Sequence, residues 1–286
     1  MPALRSLLAG APAAVFGSAT AGLTELDGAD RVIRAPLALS HRIAFVQLAG
    51  GTGTSTASAA VASLLAHRRR GPVLGVAASG GDRTLLWHSG ATDVEPGGEP
   101  DPRRRSPRGF ADASAGLAVS PGGLHLLDVR PGPAPIAATE ADWALSVAPI
   151  TRFFDVVCTD WGVRRPELDL GGVAAGSHAV CLVARADRSS LEQAVAVGRA
   201  LSALESRPRV VLAAVDLGDT GGRAPEAVRW EPGTTIIRIP FDPARSADAP
   251  AGSAELSTRS RLATTRLAAR LMPPLATPAL AEEALR

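Results

Sequence analysis

The sequence predicts an α/β protein with a mostly parallel, twisted sheet of about seven strands and helices on both faces. Three observations predict it. Short runs of Val, Ile, Leu and Ala recur along the chain and are continuous rather than alternating in polarity. Strands of that kind are buried on both faces, as in a parallel sheet covered by helices. Ala-rich or capped helical segments fall between the runs, and a glycine-rich loop separates the first run from the first such helix.

The elements follow in order. Residues 1–40 are rich in Ala, Gly and Pro and read as a tail and linker. Within them, residues 1–22 mimic a signal peptide, but Gly10, Pro12 and Gly17 interrupt the apolar stretch. Arg42–Leu48 is too short for a helix and rich in strand formers. Ser55–His67 is an Ala-rich helix, and Val73–Ala77 is the second strand. Residues 91–123 break the alternation and read as a flexible, Pro/Gly-rich insertion.

Leu124–Val129 is the third strand. Thr139 with Asp142 caps a helix running to Val147. Phe154–Asp160, Ala179–Ala184, Val210–Asp216 and Thr235–Pro240 supply the remaining strands. Ser189 and Glu192 form a capping box for a helix to Leu204. A helix from Ser257 to Met272 closes the domain, stopped by Pro273 and Pro274. The folded domain is thus expected over residues 41–272, with a C-terminal tail at 273–286.

Composition narrows the chemistry. The chain is 46% hydrophobic and 20% charged, enough to bury a core, but only 3% aromatic. The 30 basic side chains are all Arg, and the chain has neither Lys nor Tyr. Schiff-base catalysis, the ordinary P-loop lysine and a Tyr/Lys dehydrogenase site are therefore excluded. The net charge of +2 is no nucleic-acid footprint. The clusters Arg68–Arg70 and Arg103–Arg108 lack interleaved aromatics, and read as a helix end and a solvated loop. Cys158 and Cys181 lie in apolar runs and read as buried free thiols of a reducing cytoplasm. His41, His67, His88, His125 and His178 have no metal-ligand spacing. No apolar run is long enough for a membrane span.

The loop Ala49-Gly-Gly-Thr-Gly-Thr-Ser-Thr56 joins the first strand to its helix. Ligands of open α/β sheets bind at such carboxyl ends. Glycines there let backbone N–H groups approach an anion, assisted by the helix dipole. The same residues also serve a tight strand-to-helix turn capped by Thr or Ser, and the loop alone does not choose between the two.

The span 42–272 resembles the MinD/ParA group of P-loop ATPases with a deviant Walker A motif. In that group the loop reads Lys-Gly-Gly-x-Gly-Lys-Thr-Thr; here Ala49 and Thr54 stand at the two lysines. The group's Asp-x-x-Gly switch resembles Asp160-Trp161-Gly162. Its Asp-x-Asp strand end matches Ala77-Ala78-Ser79, without either carboxylate. Residues 236–243 and 255–262 look most like the MinD-like proteins of actinobacterial type VII secretion systems.

The resemblance implies a phosphate cradle from Gly50, Gly51, Thr52, Gly53, Thr54, Ser55 and Thr56, with Pro240 and Asp242 flanking an adenine. It implies Mg²⁺ at Ser55 and Asp160, with Asp160 the candidate catalytic carboxylate. The cofactor is then ATP or ADP with Mg²⁺, weakly held or lost, because the lost lysines carried the phosphate charge. The expected protein is a cytoplasmic, degenerate, non-hydrolysing regulator or scaffold, with secretion-system components as partners and a homodimer as its assembly. The alternatives are an ATP-binding switch completed by a partner, or a partitioning-type protein that positions itself on membrane or DNA. Membrane binding through the last helix is less favoured than docking on the sheet.

Overall fold

A computed structural model describes residues 22–91, 94, 101–132, 134–218, 235–246 and 250–275. The first half runs α1 (22–34), β1 (His41–Gln47), α2 (Thr54–Arg68), β2 (Val73–Ala77), α3 (Leu85–His88), α4 (Pro102–Arg105), α5 (Phe110–Ala113), β3 (Ala118–Val119) and β4 (His125–Asp128). The second runs α6 (Glu140–Ser146), β5 (Val156–Val163), α7 (Leu170–Ala175), β6 (Ala179–Arg185), α8 (Arg188–Ser202), β7 (Arg209–Val215), β8 (Thr235–Ile239) and α9 (Thr258–Leu271).

The strands form one sheet in the order β3-β4-β2-β5-β1-β6-β7-β8. Every pairing is parallel except the two-residue edge contact of β3 with β4. The apolar runs lie at the centre, as continuous hydrophobicity requires: β2 and the first seven residues of β5 are buried throughout. Two cores result. One holds Phe45, Leu65, Leu85 and Leu267 beneath α2, α3 and α9. The other holds Val46, Val157, Leu170 and Leu191 beneath α7 and α8. The expected layering, with helices on both faces, is what the chain adopts.

β1 lies between β5 and β6, so Cys158 and Cys181 sit opposite Ile43 and Phe45 on its two sides. Both are buried and free. The capping box of Thr139 and Asp142 is present at α6. Ser257 caps α9 through the Ser260 N–H.

Four readings change. Residues 22–34 are helical where composition suggested tail and linker, while residues 1–21 lie outside the described chain. Ile33 of this helix is buried in the first core. Arg69 donates from Nη1 to the Ile33 and Ala35 carbonyls and pairs with Asp155 at 3.0 Å, fastening the helix end. The sheet has eight strands rather than about seven, because β3 arises within the stretch read as an insertion. That stretch also holds α4 and α5, and Arg104 of its basic cluster is buried. Finally, Asp187 rather than Ser189 caps α8, accepting from the Ser190 N–H at 2.9 Å, while Glu192 pairs with Arg188. Residues 276–286 of the C-terminal tail lie outside the described chain.

Candidate functional site

The glycine loop leaves the carboxyl end of β1 and enters α2, at the centre of the sheet. Gly51 and Gly53 have φ of 73° and 86°, the left-handed region that side chains with a Cβ avoid. These two positions explain the glycines as backbone requirements. Gly50 and Gly51 are exposed, and a Cβ at either would meet nothing within 4 Å. Side chains at these two positions would therefore stand clear of the rest of the described chain. Trp161 and Arg83, which could have filled the space before the loop, are engaged elsewhere. Trp161 is buried against Trp143 and under the Arg164 guanidinium, and Arg83 lies over Trp87.

Gly53 is the N-cap of α2, and no side chain caps the helix. The Ala57 N–H makes the first helical bond, to the Gly53 carbonyl. The N–H groups of Thr54, Ser55 and Thr56 thus have no intrahelical acceptor. With the positive end of the helix dipole they form an anion-accepting cup. No acidic residue lies in that first turn to compete.

The hydroxyls at 52 and 54 do not face that space freely. Thr52 and Thr54 are buried, and both donate to Gln47 Oε1, at 2.5 and 2.6 Å. The two hydroxyls are themselves 3.1 Å apart. Thr54, at the place of the P-loop lysine, is thus turned inward to the end of β1. Sequence reasoning missed Gln47, although its position at the strand end beside a Thr-rich loop was a visible signal. Thr56 Oγ1 lies 3.2 Å from His88 Nε2, linking the first turn of α2 to α3.

Asp160 is fully buried within β5, opposite Phe45 on one side and Ala77 on the other. It stands inside the strand rather than in a turn after it, because β5 bulges past it and continues to Val163. Gly162 makes the bulge possible: its φ is 67°, and a Cβ there would lie 2.7 Å from Ser79 Cβ. Asp160 Oδ2 accepts from Ser79 Oγ at 2.8 Å, while Oδ1 is buried without a partner. Desolvation raises the pKa of this carboxyl, and the nearby Ser55 and Ser79 hydroxyls and Leu85 and Gly162 N–H groups only partly oppose that. Ser55 therefore stands near Asp160. Among the described residues no group of three or more His, Cys, Asp or Glu could hold a metal.

Pro240 and Asp242 follow β8. Asp242 is buried and accepts from the Ser257 and Ala244 N–H groups at 2.9 and 3.2 Å. Hydrogen bonds from Ser260, Ser257 and Ala244 hold its pKa down at about 2. The carboxylate fastens the exit of β8 to the start of α9.

The residues present fit a phosphate-bearing ligand in part. Three N–H groups without an intrahelical acceptor, and a carboxylate oxygen that meets no hydrogen-bond partner among the described residues, favour it; the loop carries no cationic side chain to match the phosphate charge.

Comparison with solved structures gives the same architecture. The chain is similar to the septum site-determining protein MinD of Pyrococcus horikoshii complexed with Mg-ADP, at 17% identity and a TM-score of 0.58. That match covers 80% of this chain and 95% of the other. It is similar to a McdA variant of Cyanothece in complex with ATP, at 16% identity, 83% and 100% coverage and a TM-score of 0.56. The cell division ATPase MinD of Pyrococcus furiosus aligns at 20% identity, 81% and 98% coverage and a TM-score of 0.54. No protein-family profile and no curated protein matches the sequence. The chain thus has the MinD/ParA-type P-loop NTPase fold. Among the described residues no helix is long and apolar enough to cross a membrane.

Proposed function

We infer that this protein is a MinD/ParA-fold regulator or scaffold that does not hydrolyse ATP. The observation that carries the reading is Thr54: at the lysine position it offers a neutral hydroxyl, and that hydroxyl donates to Gln47. No Lys occurs anywhere in the chain to replace it. A P-loop cation stabilises charge on the transferred phosphoryl group, and losing one such group typically costs roughly 3–4 kcal/mol of transition-state stabilisation. Ala77 and Ser79 also stand where the resembling group has carboxylates, so no second acid supports Asp160.

A second reading is supported by the N–H groups of the cup and by Asp160 Oδ1. In it the chain binds ATP or ADP with Mg²⁺ and a partner supplies the missing cation. Mg²⁺ would supply phosphate-charge neutralisation when bound. For their part, the N–H groups of Thr54, Ser55 and Thr56 would hold phosphate oxygens, and Ser55 and Asp160 would face the ion. Pro240 and Asp242 would flank the base. The partner of the MinD structure from Aquifex aeolicus is MinC. For this chain we propose protein partners and a homodimer, in the cytoplasm. The resemblance of residues 236–243 and 255–262 points to a type VII secretion apparatus. The folded unit is proposed to span 41–272, with α1 added from the structure.

Calorimetric titration with Mg·ATP, together with phosphate release by the purified protein, separates the readings. The regulator reading expects no turnover. Tight binding that becomes turnover only with a partner present would support the switch, and turnover by the chain alone would overturn the first reading.

A further inference from the structure

A cavity of about 650 Å³ opens beside the outer face of α2 and shares only Thr56 with the glycine loop. Residues 56, 59, 60, 63, 64, 67 and 68 of α2 form one wall, at the three- and four-residue spacing of a single helix face. The other walls come from α3, the turn before β4, the segment 250–256 and α9. The volume is that of a small-molecule site, within the usual range of about 300–1,000 Å³.

Its lining is apolar with charge of one sign. Ala59, Ala60, Leu64, Trp87 and Leu256 supply the apolar surface. Among the described lining residues three are Arg and two are His, and none is Asp or Glu. Arg68 is already paired with Asp30 at 3.1 Å. Among the described residues Arg245 has no ion-pair partner within 4 Å, and its hydrogen bond is a long one, Nη2 to Thr264 Oγ1 at 3.4 Å. Burial lowers its pKa, and Asp242, the acid that opposes this, is occupied with backbone N–H groups. His88 adds no anion to offset it. A half-buried guanidinium whose acidic neighbour is held by backbone donors keeps part of its desolvation cost, and an oxyanion docking on it relieves that cost.

We propose that this groove binds a small amphiphilic anion, an apolar body ending in an oxyanion head that pairs with Arg245. The site is independent of nucleotide binding at the glycine loop. The guanidinium fork takes phosphate or carboxylate oxygens in the same bidentate way. The apolar wall of α2 covers the body, and Thr56 and His88 lie at the end nearest the cup.

The test is calorimetric titration of the full chain with octyl phosphate, octanoate and 1-octanol, each below its aggregation concentration. Binding of either anion, with 1-octanol at least tenfold weaker, is expected; the stronger anion identifies the head group. Arg245→Met should weaken the anion at least tenfold, as loss of a charge-assisted hydrogen bond does. Ala60→Trp, which fills the groove from a half-buried position on α2, should abolish binding without touching Arg245. Gly50→Val, which blocks the phosphate cup instead, should leave binding unchanged. Equal affinity for 1-octanol, or no binding of either anion, overturns the proposal. So does wild-type affinity in Ala60→Trp, or loss of binding only in Gly50→Val. Should Arg245→Met fail to fold, the Ala60 variant and the 1-octanol arm decide.

Discussion

Thr54 and Gln47 set the chemistry of the loop at the scale of single residues. A lysine at 54 would have to leave the buried position that Thr54 occupies and give up the bond to Gln47. Thr54→Lys should therefore tighten ATP binding without producing turnover. One ammonium offsets phosphate charge in the ground state, but groups that act as a unit are not restored singly. Phosphate release by Thr54→Lys and by the triple variant Ala49→Lys, Thr54→Lys, Ala77→Asp checks this. Turnover by the single variant would mean that the missing carboxylates matter less than argued. Gly162 makes a second claim at this scale. Gly162→Ala forces a Cβ into the left-handed region and against Ser79, 2.7 Å away. It should cost roughly 2–4 kcal/mol, the sum of backbone strain and overpacking, read as a lowered denaturation midpoint. It should also disturb the Ser79–Asp160 hydrogen bond. The glycine loop was legible in the sequence because backbone geometry demands glycine at Gly51 and Gly53, whereas Asp160 was singled out by the resemblance alone. Gln47 was missed because its one signal, a polar residue at a strand end beside a Thr-rich loop, follows no spacing rule that singles it out.

Elements were legible where local signals agree. The capping box at Thr139 and the apolar runs of the central strands are local, and the structure keeps both. Helix α1 was missed because an Ala/Gly/Pro average over residues 1–40 hides it. Its own signal is present: Asp27–Arg31 and Asp30–Arg34 are ion pairs at the helical spacing of four. β3 was missed because two residues carry no period at all. At the junction of β8 with α9, Asp242 also ties the two elements together, a role that the resemblance did not imply. Asp242→Ala removes the acceptor of the part-buried Ala244 and Ser257 N–H groups and should cost about 1–2 kcal/mol. The sign with pH follows from its depressed pKa. The contribution is full above the unfolded pKa of about 4 and is lost as pH falls through about 2. Urea titration of the variant and the parent at pH 7 measures the loss; equal midpoints would sink the claim.

At the scale of the whole molecule, a parallel sheet covered by helices on both faces was foreseeable from its continuous apolar strands, but its long-range fasteners were not. His41 at the start of β1 lies 2.9 Å, through Nε2, from the Leu271 carbonyl at the end of α9, a contact between residues 230 apart. It stacks on His178, with ring centroids 5.3 Å apart. Burial, and then the nearby His178 and arginines, lower the His41 pKa to about 4, so the ring is neutral and donates to the carbonyl. The unfolded chain takes up this proton first. Stability is therefore full above the unfolded pKa of 6.5 and is lost as pH falls from there toward about 4. A depression of this size corresponds to a loss of about 3 kcal/mol at most. Asp160 acts in the opposite sense: its raised pKa means that protonation relieves a penalty as pH falls. His88, with its pKa lowered by burial to about 4, and His125 and His178, also lowered by burial, respond in the same sense as His41, so the His41 share has to be read by difference. His41→Gln keeps an N–H donor but cannot be protonated. Chemical denaturation of both proteins from pH 7.5 to 4.5 should show the parent losing more stability than the variant, with the gap opening below pH 6.5. Parallel curves would mean that the ring stays accessible to protons in the folded state, and that α9 is not fastened to β1 through a neutral imidazole.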